Sequence, residues 1–137
     1  MEWQTFAHAA DVGVRGKGTT LAEAFAGAAT AMTAAICQPA RVAAREQVDI
    51  ECAAPDAQLL LIDWLNALVY EMATRRMLFS RFDVRIDGGR LHATAWGEPV
   101  TLERHRPAAE IKAASFCELK VERQADGQWL AQCVVDV

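Results

Sequence analysis

No apolar run in this sequence approaches the ~20 residues that a membrane-spanning helix needs. The N-terminal MEWQTF has no basic stretch leading into an apolar one, so no signal peptide is expected either. Cysteine is sparse. The four present, Cys37, Cys52, Cys117 and Cys133, form no C-x-x-C pair and have no histidine at finger-like spacing, which argues against a structural zinc site. Positive charge is in deficit: the formal net charge is −4. Broad binding to nucleic-acid backbone needs clustered Lys and Arg, so it is not expected, and neither is sequence-specific nucleic-acid binding. A Gly-rich phosphate cradle, a nucleophile elbow and a close acid pair are also missing. So are internal repeats, low-complexity segments and linkers. These absences point to a cytoplasmic protein with reduced thiols. Cys52, Cys117 and Cys133 lie in apolar or alternating runs and read as small core residues.

What is present suits one folded unit. The 137 residues are 53% hydrophobic and 23% charged, and a chain of this size buries roughly two-thirds of its unfolded surface. One domain is expected, covering residues 1–137. The chain opens with a short extended segment, Glu2 to Phe6, followed by the alternating VGVRGKG. Thr19 and Thr20 precede LAEAFAGAATAMTAAI, where Thr20 and Glu23 form a capping box and the alanine-rich face permits close packing. Gln38-Pro39 stops this helix. Val48, Ile50 and Cys52 alternate with acids in a half-buried strand. Asp56 then caps the strongest helix, with Leu61, Leu65, Leu68 and Met72 on one face and Leu60, Trp64 and Tyr70 widening it. Asp63 and Asn66 make a polar notch on it, or else satisfy neighbouring backbone in a solvated flank. FSRFDVRI, Asp87-Gly88-Gly89 and RLHATAWG predict a hairpin. TLERHRPAAE reads as a loop and Ile111 to Arg123 as mostly extended. Ala125-Asp126-Gly127 turns into a final strand that runs to the last residue. The fold class is therefore α+β, with two helices packed on a largely antiparallel β-sheet.

Two groups of residues bear chemistry. Asp136 and Val137 follow the β-branched Val134 and Val135, so the last strand reaches the chain's acidic tip. With Asp11 alongside, these oxygens would form a hard-cation site of the calcium or magnesium type. Alternatively, Asp11 caps a turn and Asp136 is merely solvated. The second group is GEPVTLERHRPAAEIKA, where Glu98, Glu103, Arg104, His105, Arg106, Glu110 and Lys112 crowd together. Such a loop suits a phosphate or an acidic partner surface, or it is a charged face turned to solvent. Lys112 begins an extended apolar segment, where a partner carboxylate is expected. His92 reads as an exposed or packing residue.

The succession of H-x-x-D-V-G (His8 to Gly13), TLAEAFAGAATAM, LLIDWLNALVYE, LFSRF, WGEP, RH, EIKAASF and terminal VVDV covers nearly the whole chain. It resembles archease, the small protein that assists the GTP-dependent tRNA-splicing RNA ligase. The resemblance implies an α+β domain and a calcium-type site at Asp11, Asp136 and the backbone oxygens of Val137. It implies a functional lysine at Lys112. Arg104, His105, Glu110 and His8 are the further residues expected to face the partner, with His8 orienting its neighbours rather than binding metal. Two departures stand out: Ala9 replaces a threonine, and Ser115-Phe116-Cys117 replace Thr-Tyr-His. The implied activity is that of an accessory protein, not an enzyme, which promotes the ligase's guanylation and repeated turnover. The competing readings are a metal-dependent phosphoester hydrolase, with Asp11 and Asp136 holding a cation and His8 or His105 as base, and a general chaperone or scaffold module.

Overall fold

The computed structural model describes all residues, Met1 to Val137. Strand β1 (Glu2–His8) turns directly into β2 (Asp11–Gly18), with a positive φ of 52° at Ala9 in the two-residue turn. Helix α1 (Leu21–Ile36) follows, capped by Thr20, whose hydroxyl oxygen accepts from the Glu23 N–H at 3.1 Å. The Glu23 carboxylate takes the Thr19 hydroxyl instead of closing the reciprocal half of the expected box. A 3₁₀ turn at Pro39–Arg41 leads to β3 (Glu46–Ala53). Helix α2 (Ala57–Arg75) begins at Asp56, whose Oδ1 accepts from the Leu59 N–H at 2.9 Å, and ends with Arg76 in a left-handed conformation. The rest is β4 (Met77–Asp87), β5 (Arg90–Pro99), a single helical turn α3 (Leu102–His105), β6 (Ala113–Ala114), β7 (Lys120–Arg123) and β8 (Trp129–Asp136).

The fold is α+β as the pattern predicts, but the strands divide into two antiparallel sheets. One runs β1-β2-β8-β6, with β7 also paired to β8; the other runs β3-β5-β4. One core of 28 buried residues joins both sheets to both long helices. At its centre, fully buried Trp64 donates its indole N–H to the Phe25 carbonyl at 3.1 Å and meets the Phe82 ring edge-on. The alanines of α1 let it lie almost backbone to backbone on β2. A Cβ at Gly16 would stand 2.1 Å from the Ala24 carbonyl oxygen, and one at Gly27 2.6 Å from that of Glu2.

Three expectations are corrected. Tyr70 does not widen the buried face of α2; it is 65% exposed. Cys117 is exposed, whereas Cys133 is fully buried. The segment Ile111 to Arg123 is extended only at its two ends. Between them the Ser115 hydroxyl donates to the Val134 carbonyl at 2.8 Å, and Glu118 adopts a φ of 53°. Main-chain bonds to β8 continue through the segment, from the Ser115 N–H to the Val134 carbonyl at 2.9 Å and from the Val134 N–H to the Cys117 carbonyl at 3.0 Å, but without strand geometry between them, so β6 and β7 are separate strands on β8.

Candidate functional site

Strand register builds one end of the larger sheet from both ends of the chain. His8 stands opposite Asp11 across the β1–β2 turn. Val12 pairs with Val135 and Gly13 with Val134, so continuing the antiparallel ladder by one step brings Asp11 beside Asp136. Contacts at the tip agree: the Val137 N–H donates to Asp11 Oδ1 at 3.2 Å. On the other side of β8, Ala113 pairs with Asp136, and the Lys112 N–H donates to the Asp136 carbonyl at 2.8 Å. Thus Asp11, Asp136, Val137, His8 and Lys112 arrive together from four strand ends. Alternation along β2 puts Asp11 on the face away from α1, the face that also carries Gly13, Arg15 and Lys17.

Two further residues position this end. The Phe6 ring lies flat on Gly13, where a Cβ would sit 2.1 Å from the ring. Asn66, half of the polar notch on α2, accepts the Ala114 N–H at 2.8 Å and so fastens β6 and the lysine that precedes it. Asp63, the other half, is exposed. Neither Asp11 nor Asp136 has a cationic side chain within ion-pairing distance, and Lys112 has no carboxylate. His8, Asp11, Asp136 and Val137 are half-buried and Lys112 is exposed. No group of three or more His, Cys, Asp or Glu side chains is arranged to hold a metal ion. What this end offers is two carboxylates and adjoining main-chain oxygens, with the main chain of the exposed Lys112 beside them.

Two residues of the charged cluster turn inward, while Glu103, Arg104, Arg106 and Glu110 stay exposed. Glu98 is 4% and His105 2% exposed. His105 Nδ1 accepts the Thr101 N–H at 3.0 Å, so its other nitrogen carries the proton and donates to Glu98 Oε2 at 2.9 Å. Arg104 Nε lies 2.8 Å from the same oxygen and donates to the Arg41 carbonyl at 2.9 Å. The Ala43 N–H donates to Glu98 Oε2 at 2.9 Å and is the largest influence lowering its pKa. With His105 and Arg104 it outweighs desolvation and holds Glu98 at about 2. His105 and Arg104, expected to face a partner, thus fasten the β5–α3 corner to the loop before β3. Glu110 is exposed at the rim of an apolar hollow lined by Ile36, Met72, Met77, Leu78 and Val100, and forms no ion pair. His92 is exposed, 3.1 Å from the Glu51 carboxylate. Asn66 satisfies backbone as one reading of the notch expects, whereas sequence reasoning missed Glu98 as a positioning residue. An acid seven residues before a histidine was the available signal.

Similarity to known proteins agrees with this fold. The profile of the Archease protein family (MTH1598/TM1083) matches residues 3–137. A protein named archease from Pyrococcus furiosus is 36% identical over 140 residues, covering 99% of each chain, and one from Methanopyrus kandleri is 35% identical over the full length of both. Among solved structures, protein 1598 of Methanobacterium thermoautotrophicum superposes with a TM-score of 0.85 at 34% identity, over 98% of each chain. A Thermotoga maritima protein described as an archease and possible chaperone superposes at 0.64 over 96% of this chain and 94% of its own. At 18% identity, that last likeness concerns the fold alone. The match in sequence and in fold extends from the first strand to the acidic tip: the chain belongs to the archease family.

Proposed function

We propose that this chain is a cytoplasmic accessory protein of the GTP-dependent tRNA-splicing RNA ligase, promoting the ligase's guanylation so that it turns over repeatedly, and that it is not itself an enzyme. Family membership supports the reading. The observation that carries it is the meeting of both chain ends, with the Val137 N–H on Asp11 Oδ1 at 3.2 Å and Lys112 fastened to Asp136. Oxygen donors alone suit a hard cation of the calcium class. Asp11, Asp136 and the main-chain oxygens of Val137 are the residues that would hold it. Such an ion takes six to eight oxygens, and water or partner oxygens would supply those that these residues leave unfilled. A cation there would present open positions to phosphate or carboxylate oxygens of the ligase. The chain's own residues do the rest: Val137 N–H fixes the Asp11 carboxylate, Asn66 fixes β6, and the Lys112 N–H holds the Asp136 carbonyl.

The experiment is ligase guanylation and multiple-turnover RNA joining, with and without this protein. More guanylated ligase and repeated turnover are expected in its presence. An unchanged multiple-turnover rate with a confirmed cognate ligase would overturn the proposal. Nucleotide or phosphoester turnover by the purified protein alone would turn the reading toward a hydrolase.

A further inference from the structure

The outer face of the five-stranded sheet carries a second polar feature, away from the carboxylate end. Across the ladders, Lys120 stands opposite Gln132, Gln132 opposite Arg15, and Arg15 opposite Gln4. Lys17 lies two residues along β2 on the same face. Together with Gln124 and Leu130 they line an open hollow of about 260 Å³. None of the three cations is in an ion pair within the chain. Glu2, opposite Lys17, and Glu122, opposite Leu130, stand at one end of it. In a chain of net charge −4, such a cluster is no by-product of a basic composition.

Arg15 is held from two sides. Its Nε donates to Gln132 Oε1 at 2.8 Å, and its guanidinium carbon lies 4.6 Å from the centre of the Phe6 ring. Gln132 is only 4% exposed, and its own amide donates to the Glu118 carbonyl at 3.0 Å. A buried amide and a ring therefore fix the guanidinium plane, while its two terminal nitrogens make no bond within the chain. A fork held this way takes two oxygens of one tetrahedral or planar anion. Two compact ammonium groups beside it favour the higher charge of a phosphate, about −1.5 to −2 at neutral pH, over a single carboxylate.

We propose that Arg15, Lys17 and Lys120 bind a phosphate group, with Gln132 as the residue that positions Arg15. The site does not depend on the helper reading. It lies four residues along β2 from Asp11, or about 13 Å.

The test is isotope-edited NMR of the whole protein, titrated separately with inorganic phosphate, pyrophosphate and a short single-stranded RNA. Saturable shifts are expected at Arg15, Lys17, Lys120 and Gln132. The double variant Arg15→Met, Lys120→Met should bind about tenfold more weakly or worse. Gln132→Leu should weaken binding with all three charges intact, and Arg90→Met, on the other sheet, should leave it unchanged. Saturation by inorganic phosphate or pyrophosphate identifies a small phosphorylated ligand. Saturation by RNA alone identifies a strand, and three phosphate contacts then give a log–log salt slope of about −2, falling to about −0.7 in the double variant. Absence of saturable shifts on these strands, equal binding by the double variant, or equal competition from a polyglutamate peptide would overturn the proposal.

Discussion

At the scale of single residues, burial separates side chains of the same chemical type. Cys133 sits in β8 with no exposed surface, and desolvation pushes its thiol up to about 12. Burial also raises Cys37 and Cys52, with the Asp63 charge adding to the effect at Cys52. Cys117 is exposed. A thiol reacts as its thiolate, so a limiting amount of iodoacetamide should label Cys117 first in the folded protein and reach Cys133 only after denaturation. Peptide mapping of the adducts checks the order, and early labelling of Cys133 would mean that β8 opens readily. The same contrast explains why Cys117 was misread from the sequence. Ala113, Ala114 and Phe116 before it are apolar, but the Ser115 hydroxyl and the left-handed Glu118 turn the segment away from the core. Asn66 was recognisable as a polar residue on an apolar helix face. Its partner, the Ala114 N–H, lies 48 positions away and could not be read from local pattern.

At the scale of elements, close contacts of main chain decide stability. Helix α1 rests on β2 at Gly16, where an added Cβ meets the backbone atoms Ala24 O at 2.1 Å and Ala28 N at 2.3 Å. Backbone cannot swing aside as a flexible side chain does. Gly16→Ala should therefore cost about 3 kcal/mol through forced separation of helix and strand, read as a lower urea midpoint. An unchanged midpoint would mean that the helix is not seated there. The β5–α3 corner has its own pH signature. Glu98 has a folded value of about 2 against 4.5 when unperturbed. Its depressed pKa stabilises the fold in full above about 4.5, and that share disappears as pH falls toward about 2. The melting temperature of wild type should exceed that of Glu98→Gln above pH 4.5 and converge on it toward pH 2. A gap between the two that stays constant across this range would contradict the buried network.

At the scale of the whole molecule, the chain folds so that its first turn and last residue meet. Caps, turn glycines and alternation made both long helices and the hairpins legible in the sequence, because each of those signals is local. The division into two sheets was not legible: which face a strand pairs with depends on packing partners distant in the chain. Asp11 and Asp136 were singled out by residue type and resemblance, and the register of β2 on β8 now gives their proximity a geometric basis. In the charged loop Glu98 and His105 are buried while Glu103, Arg104 and Arg106 are exposed, a division that a run of charges does not reveal in sequence. The central claim is that the oxygen-rich end of the larger sheet is what acts on the ligase. It is tested most directly by multiple-turnover RNA joining with a cognate ligase in the presence of Asp136→Asn or Asp11→Asn protein, each first shown to melt like wild type. The account predicts that either variant reduces the stimulation at least tenfold, about 1.4 kcal/mol or more; full stimulation by both folded variants would contradict it.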